Sequence, residues 1–98
     1  MDGSSSGAPL GGVGESEHFL YLVTEHEFDY SDFDEVTAPV IWALAHEPEY
    51  YPSAPDPRIR VAYAMGFGTV PAIWIYCTVD RAAERCTLQW FTIVEETG

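Results

Sequence analysis

The segment from Val70 to Val94 constrains the fold most, because it contains two consecutive β-rich stretches. These stretches are PAIWIYCTVD and CTLQWFTIV, and a short charged turn, Asp80 to Arg85, joins them. Runs of β-branched and aromatic residues on either side of a tight turn predict a β-hairpin. Both strands have apolar residues on both faces, so we expect central strands that a helix covers on one face.

The register of this hairpin determines where the two cysteines of the chain lie. A turn centred between Arg81 and Ala82 places Cys77 directly opposite Cys86. No N-terminal stretch combines the basic and apolar regions of a signal peptide, so we expect a cytoplasmic protein. In that compartment the two thiols stay reduced, with a disulfide as the alternative. No run approaches the roughly twenty apolar residues that span a bilayer, so no membrane segment is predicted.

Two segments before the hairpin have the alternation of strands. His18 to Glu25 places Phe19, Tyr21 and Val23 on one face, which predicts the first strand. The stretch RIRVAYA, residues 58–64, predicts a half-buried strand. In that strand we expect Ile59, Val61 and Tyr63 to face the core. Arg58 and Arg60 would then face solvent or a ligand.

Between these strands, residues 32–47 have helical spacing. One stripe contains Phe33, Val36, Val40, Ala43 and Leu44. Pro39 lies inside this pattern, so the helix either restarts with Thr37 as its cap or kinks at the proline. A proline-rich connector follows from Pro48 to Pro57.

Together these elements predict an α+β domain. We expect a small antiparallel sheet of about four strands, in the order strand, helix and three-strand meander, with the helix packed on one face. Residues 1–17 are rich in glycine and serine and predict a flexible tail, which leaves residues 18–98 as the single domain.

The charge balance restricts the partners. Sixteen acidic residues against four arginines, with no lysine, give a formal net charge of -12. This charge repels phosphate, so direct binding of nucleic acid is disfavoured. The chain is either an ordinary soluble acidic protein or an acidic ligand for a basic partner surface.

Acidic residues concentrate between Glu25 and Glu35, where they alternate with Phe28, Tyr30 and Phe33. Neither a glycine nor a glutamate stands at the spacing that a calcium loop requires. We interpret it as the start of the helix, with Ser31 as N-cap and acidic residues at the positive end of the helix dipole. The competing interpretation is a surface that imitates a nucleic-acid backbone and binds a partner. Its candidate residues are Glu27, Asp29, Tyr30, Asp32, Asp34 and Glu35, with Arg81 and Arg85 from the hairpin turn.

No metal or cofactor is expected. His18, His26 and His46 lack the spacing of metal ligands. The glycines at positions 66 and 68 lack the lysine and following helix of a phosphate loop.

Three short segments of the chain resemble those of one family. They are a helix end from Leu44 to Pro48, an arginine-bearing strand at Ile59 to Val61, and a strand from Ile75 to Asp80 that ends in valine and aspartate. In this order they are similar to the RelE/ParE superfamily of small bacterial toxins from toxin–antitoxin pairs. The resemblance covers residues from about Phe19 to Val94.

The resemblance implies specific activities and residues. Some members cleave messenger RNA on the ribosome without metal, using arginine and lysine, and others act on gyrase. Arg58 and Arg60 are the catalytic candidates by position. The chain departs from the family at Ala72 to Trp74, where a tyrosine-arginine pair is common, and at its acidic end.

The expected function is therefore that of a RelE/ParE-like toxin-type domain, catalytically degenerate, that binds a protein such as an antitoxin. If activity remains, it is that of a metal-independent endoribonuclease. The alternative is an acidic inhibitor of the phage type, which docks its carboxylates and aromatic rings on the basic site of a nucleic-acid-binding protein. A structural domain without a site is the third possibility.

Overall fold

Four strands form one sheet and two helices pack on one of its faces in the computed structural model, which describes residues 12–94. In chain order the elements are β1 (Gly12–Glu15), α1 (Glu17–Glu25), α2 (Tyr30–His46), a 3-10 turn (Pro48–Tyr50), β2 (Ile59–Ala64), β3 (Ile73–Asp80) and β4 (Arg85–Ile93). The sheet order is β1-β4-β3-β2. The predicted α+β class, the meander of β2, β3 and β4, and the central position of the hairpin are confirmed.

The sheet is mixed, whereas a wholly antiparallel sheet was expected, because its fourth strand is β1. This strand pairs in parallel with β4, from Gly12 opposite Arg85 to Glu15 opposite Leu88. The expectation of a tail is therefore wrong for residues 12–17, and residues 1–11 lie outside the described part of the chain. Glycine at two of the four positions of β1 is atypical of strands, so local propensity could not identify it.

The segment predicted as the first strand is the helix α1, which corrects that prediction. Ser16 is the N-cap, and its hydroxyl oxygen accepts a hydrogen bond from the Phe19 amide at 3.1 Å. Phe19 and Val23, four residues apart, are the buried residues of the helix, while Tyr21 is exposed. The same residues fit a period of two and a period of 3.6, and the serine cap selects the helix.

The helix α2 begins earlier than predicted and continues through Pro39. Asp29 is its N-cap, not Ser31, since the Asp29 carboxylate accepts from the Asp32 amide at 3.0 Å. The helix does not restart at Thr37, whose buried hydroxyl donates to the Phe33 carbonyl at 3.1 Å. Four of the predicted stripe residues are buried, namely Phe33, Val36, Val40 and Leu44.

The hairpin register differs from the predicted one by two positions. Asp80 pairs with Arg85, so four residues form the turn and Cys77 lies opposite Leu88. Glu84 has a φ of 54°, and the Asp80 carboxylate accepts from the Ala83 amide at 3.1 Å, which stabilises this longer turn. Near Tyr76 the register shifts by one residue at a bulge.

The core lies between the helices and one face of the sheet. From the sheet it takes Ala62, Ala64, Ile73, Ile75, Cys77, Cys86, Leu88 and Phe91. The ring of Phe19 lies 5.8 Å from that of Phe33 and 5.4 Å from that of Phe91, so both helices contact the same aromatic cluster. In β2 the small residues Ala62 and Ala64 lie opposite Ile75 and Ile73 of β3, which leaves room for α2 above β2.

Candidate protein-docking face and arginine cleft

The sheet face opposite the helices is aromatic and partly exposed. We call it the open face, and its apolar members are Ile59, Val61, Tyr63, Trp74, Tyr76 and Trp90. Tyr63 is 47% exposed and Trp74 is 39% exposed. Because both helices pack against the other side, no helix of residues 12–94 covers this surface.

This arrangement reverses the predicted faces of β2. Arg60 shares its side with the buried Ala62 and Ala64, while Tyr63 is on the open face. Side-chain polarity alone predicted that Ile59, Val61 and Tyr63 face the core. This was wrong because the small side chains of Ala62 and Ala64 are the ones that fit below α2. The bulge near Tyr76 adds one residue to β4 and changes which of its side chains are buried. Trp90 is on the open face, while Leu88 and Phe91 are both buried.

The aromatic residues of the open face form two cross-strand pairs. The rings of Tyr63 and Trp74 meet edge-on with centroids 5.2 Å apart. Tyr76 and Trp90 stack at 4.8 Å with planes 9° apart. Such pairs stabilise neighbouring strands by about 0.5–1.5 kcal/mol each, and they present a rigid surface of the composition that protein interfaces favour.

The side chain of Arg60 does not reach the open face. Its Nη1 donates to the Tyr51 carbonyl at 2.9 Å. The connector also covers the edge of β2, because the Val61 amide donates to the Pro52 carbonyl at 3.0 Å. Arg60 therefore holds the connector against the sheet edge.

Arg58 lies before β2, at a cleft of about 800 Å³ that we call the arginine cleft. Its Nε and Nη2 donate to the two carboxylate oxygens of Asp56 at 3.1 and 2.7 Å. Across the cleft, Arg81 makes the same forked contact with Glu49, at 3.1 and 2.6 Å. Each guanidinium thus already makes, with a carboxylate, the two parallel hydrogen bonds with which it would bind a phosphate.

The pKa values of these carboxylates reflect the pairing. Hydrogen bonds from Arg58 lower the pKa of Asp56 to about 2. The hydrogen bond from Arg81 lowers the pKa of Glu49 below its ordinary value. Both carboxylates are therefore charged at neutral pH, and the cleft is acidic because Asp80 adds a third negative charge to its lining.

Two of the acidic residues predicted to bind a partner have structural contacts. Asp29 caps α2. Asp32 accepts hydrogen bonds from the Thr69 amide at 2.9 Å and the Thr69 hydroxyl at 3.0 Å, which attaches α2 to the loop between β2 and β3. The other predicted residues of this segment are exposed, namely Glu27, Tyr30, Asp34 and Glu35.

The structure separates this segment from the two turn arginines predicted to act with it. Asp32 contacts the loop at the Ile73 end of β3, whereas Arg81 and Arg85 flank the turn at its Asp80 end. The eight residues of β3 separate these ends by roughly 25 Å. One small ligand could not contact both groups.

Cys77 and Cys86 are fully buried free thiols on the core side of the hairpin. They lie diagonally, because Cys86 pairs with Val79, two residues from Cys77. The neighbouring Cys86 thiol and burial raise the pKa of Cys77. A protonated, inaccessible thiol is a poor nucleophile.

Within residues 12–94, no group of three or more histidine, cysteine or acidic side chains is placed to hold a metal ion. Over the same residues, none of the helices has the length and apolar character needed to cross a membrane. Comparison with family models, curated proteins and solved structures finds no match to the chain.

Proposed function

We propose that this protein is a RelE/ParE-like toxin-type domain that is catalytically degenerate and acts in the cytoplasm by binding a protein partner on its open face. The observation that carries the proposal is the pair of aromatic contacts exposed on this face. The partner class implied by the resemblance is an antitoxin.

The contacts of the arginines support the loss of catalysis. A metal-independent nuclease needs cations at the scissile phosphate, and Arg58, Arg60 and Arg81 each have a protein acceptor. A phosphate would have to displace Asp56 or Glu49 while approaching a chain of net charge -12.

The aromatic side chains support protein binding. Exposed tryptophan and tyrosine on a regular sheet lose little conformational entropy when a partner buries them, and they are the residues most often found at interface hot spots. The edge of β2 is already covered by the connector, so we expect side-chain contacts with the face instead of addition of a strand.

The binding test uses the protein encoded beside this gene as the partner. We expect the two proteins to co-purify, and Trp74→Ala to weaken the complex at least about tenfold. Trp42→Ala is the matched control, because Trp42 is 64% exposed but lies on α2. Equal affinities of the two variants, measured by calorimetry, would overturn the assignment of the open face.

A second assay tests catalysis separately. The purified protein is added to a translation extract, and messenger RNA is followed by primer extension. We expect intact RNA with the parent chain and with Arg58→Ala. Cleavage that disappears in Arg58→Ala would show that the domain is an active nuclease.

The acidic inhibitor is the second candidate, favoured by the exposed carboxylates Glu27, Asp34 and Glu35. It predicts binding to a basic nucleic-acid-binding protein that weakens steeply with salt. Combined Glu27→Gln and Asp34→Asn should weaken such a complex, while Trp74→Ala should not. Binding that is unchanged by a several-fold increase in salt would eliminate this candidate.

A further inference from the structure

A second surface lies between α2 and the start of the loop that follows β2. This α2 groove has a volume of about 450 Å³, within the range of pockets that hold small ligands. Its lining residues are Glu35, Val36, Pro39, Val40, Tyr51 and Tyr63 to Phe67.

The walls of the groove are apolar and aromatic. Met65 is 75% exposed and Phe67 is 53% exposed at one rim. Tyr51 and Tyr63 also line the groove, and burial raises the pKa of Tyr51. A long aliphatic stem would find apolar contact here, and a flat cation would find aromatic rings to stack on.

The polar groups of the groove are acceptors. Glu35 provides a carboxylate, and no cationic side chain is among the described residues that line the groove. Pro39 has no N–H, so the Glu35 carbonyl lacks its usual donor four residues later in the helix. A second acceptor therefore lies on the same turn of α2 as the carboxylate.

The geometry points to the α2 groove as a site for an arginine side chain presented by a basic partner protein. A planar guanidinium has five donors, enough for a carboxylate and a backbone carbonyl together, and it stacks on tyrosine rings. Lysine has a compact, strongly hydrated charge and matches this set less well. The net charge of -12 favours the approach of any cationic segment.

This inference goes beyond the proposed function, and its test needs no partner protein. The probe is N-acetyl-arginine amide, titrated into the full ¹⁵N-labelled chain. We expect saturable shifts of the amides of Tyr63, Met65 and Glu35, with a dissociation constant on the order of 1 mM. N-acetyl-citrulline amide has the same shape without the charge, and it should bind about fivefold more weakly.

Two variants and one control identify the acceptors. Glu35→Gln should weaken arginine binding about fivefold. Pro39→Ala supplies the missing N–H, so it should weaken binding about threefold while raising the melting temperature. Asp34→Asn is the matched control, since Asp34 neighbours Glu35 but lines a different surface, and it should leave binding unchanged.

Three outcomes would overturn the inference: equal affinity for the arginine and citrulline probes, shifts that map outside the groove, or no saturation up to the solubility limit of the probe. Because Glu35→Gln changes an exposed side chain, we expect it to remain folded, and its spectrum verifies this. Failure of this test leaves the open face unaffected, because Trp74, the residue that tests the open face, does not line the groove.

Discussion

Gly68→Ala adds a single methyl group at a position where both the backbone conformation and a neighbouring side chain oppose it. Gly68 is in the loop between β2 and β3, where Phe67 and Val70 exchange backbone hydrogen bonds of 2.9 and 3.0 Å. Its φ of 59° is the left-handed value that a tight turn of this kind requires. A Cβ at this position would overlap the Asp32 carboxylate, which binds Thr69.

Two costs add in this variant. The left-handed conformation costs an alanine about 1 kcal/mol. Moving the Asp32 carboxylate away breaks two charge-assisted hydrogen bonds to Thr69, and because this site is exposed each contributes only about 0.5–1 kcal/mol. The sum is a loss of about 2–3 kcal/mol in the free energy of unfolding. For a domain of this size the melting temperature should fall by roughly 10–20 °C.

The assay is urea unfolding followed by tryptophan fluorescence, with Gly12→Ala as the matched control. A Cβ added at Gly12 would meet no atom within 4 Å, and Gly12 has no positive φ, so this variant should stay within about 0.5 kcal/mol of the parent. Asp32→Ala removes both the overlap and the hydrogen bonds. The double variant with Gly68→Ala should therefore lose less than the sum of the two single variants. Additive losses, or a Gly68→Ala variant as stable as the parent, would refute this reasoning.

Three other predictions test the helix assignment, the arginine cleft and the thiols. Val23→Ala should destabilise the domain by about 1–3 kcal/mol in urea unfolding, while Tyr21→Ala should change stability by less than about 0.5 kcal/mol. The reason is that α1 buries Val23 and exposes Tyr21. Similar losses of stability in the two variants would favour a strand over the helix. The Asp56 carboxyl should titrate near pH 2 by ¹³C NMR and at a higher pH in Arg58→Gln, where the backbone amide of residue 58 still donates to the carboxylate but the guanidinium is gone. Since its pKa is lower in the folded chain, the stabilisation from this pair is present above about pH 4 and is lost as the pH falls toward 2; an unchanged titration in Arg58→Gln would exclude the pairing. Both hairpin thiols should react with a disulfide reagent only in denaturant, since they are buried, and rapid reaction of the native protein would contradict this packing.

The general architecture was predictable because it depends on local patterns. The alternation of Ile73, Ile75 and Cys77 identifies a central strand, and the stripe from Phe33 to Leu44 identifies a helix. Both patterns follow from the geometry of a single element. All of these residues except the half-buried Ala43 are buried as expected.

Prediction was wrong where one local pattern fits two structures. The residues from Phe19 to Val23 fit either a strand or a helix, and β1 has too little side-chain pattern to identify. The predicted start of α2 was wrong for a related reason, since aspartate and serine are both good N-cap residues and either Asp29 or Ser31 could cap the helix. The contact of the Asp32 amide with Asp29 distinguishes them.

The candidate site depended on contacts between distant parts of the chain. Arg81 and Glu49 are 32 residues apart, and Thr69 and Asp32 are 37 apart, so no sequence window contains either pair. Periodicity, composition and charge established the α+β class, the central hairpin and an acidic surface. The tertiary packing established which face of β2 is open and which arginines are paired, because both depend on where the helices and the connector lie on the sheet.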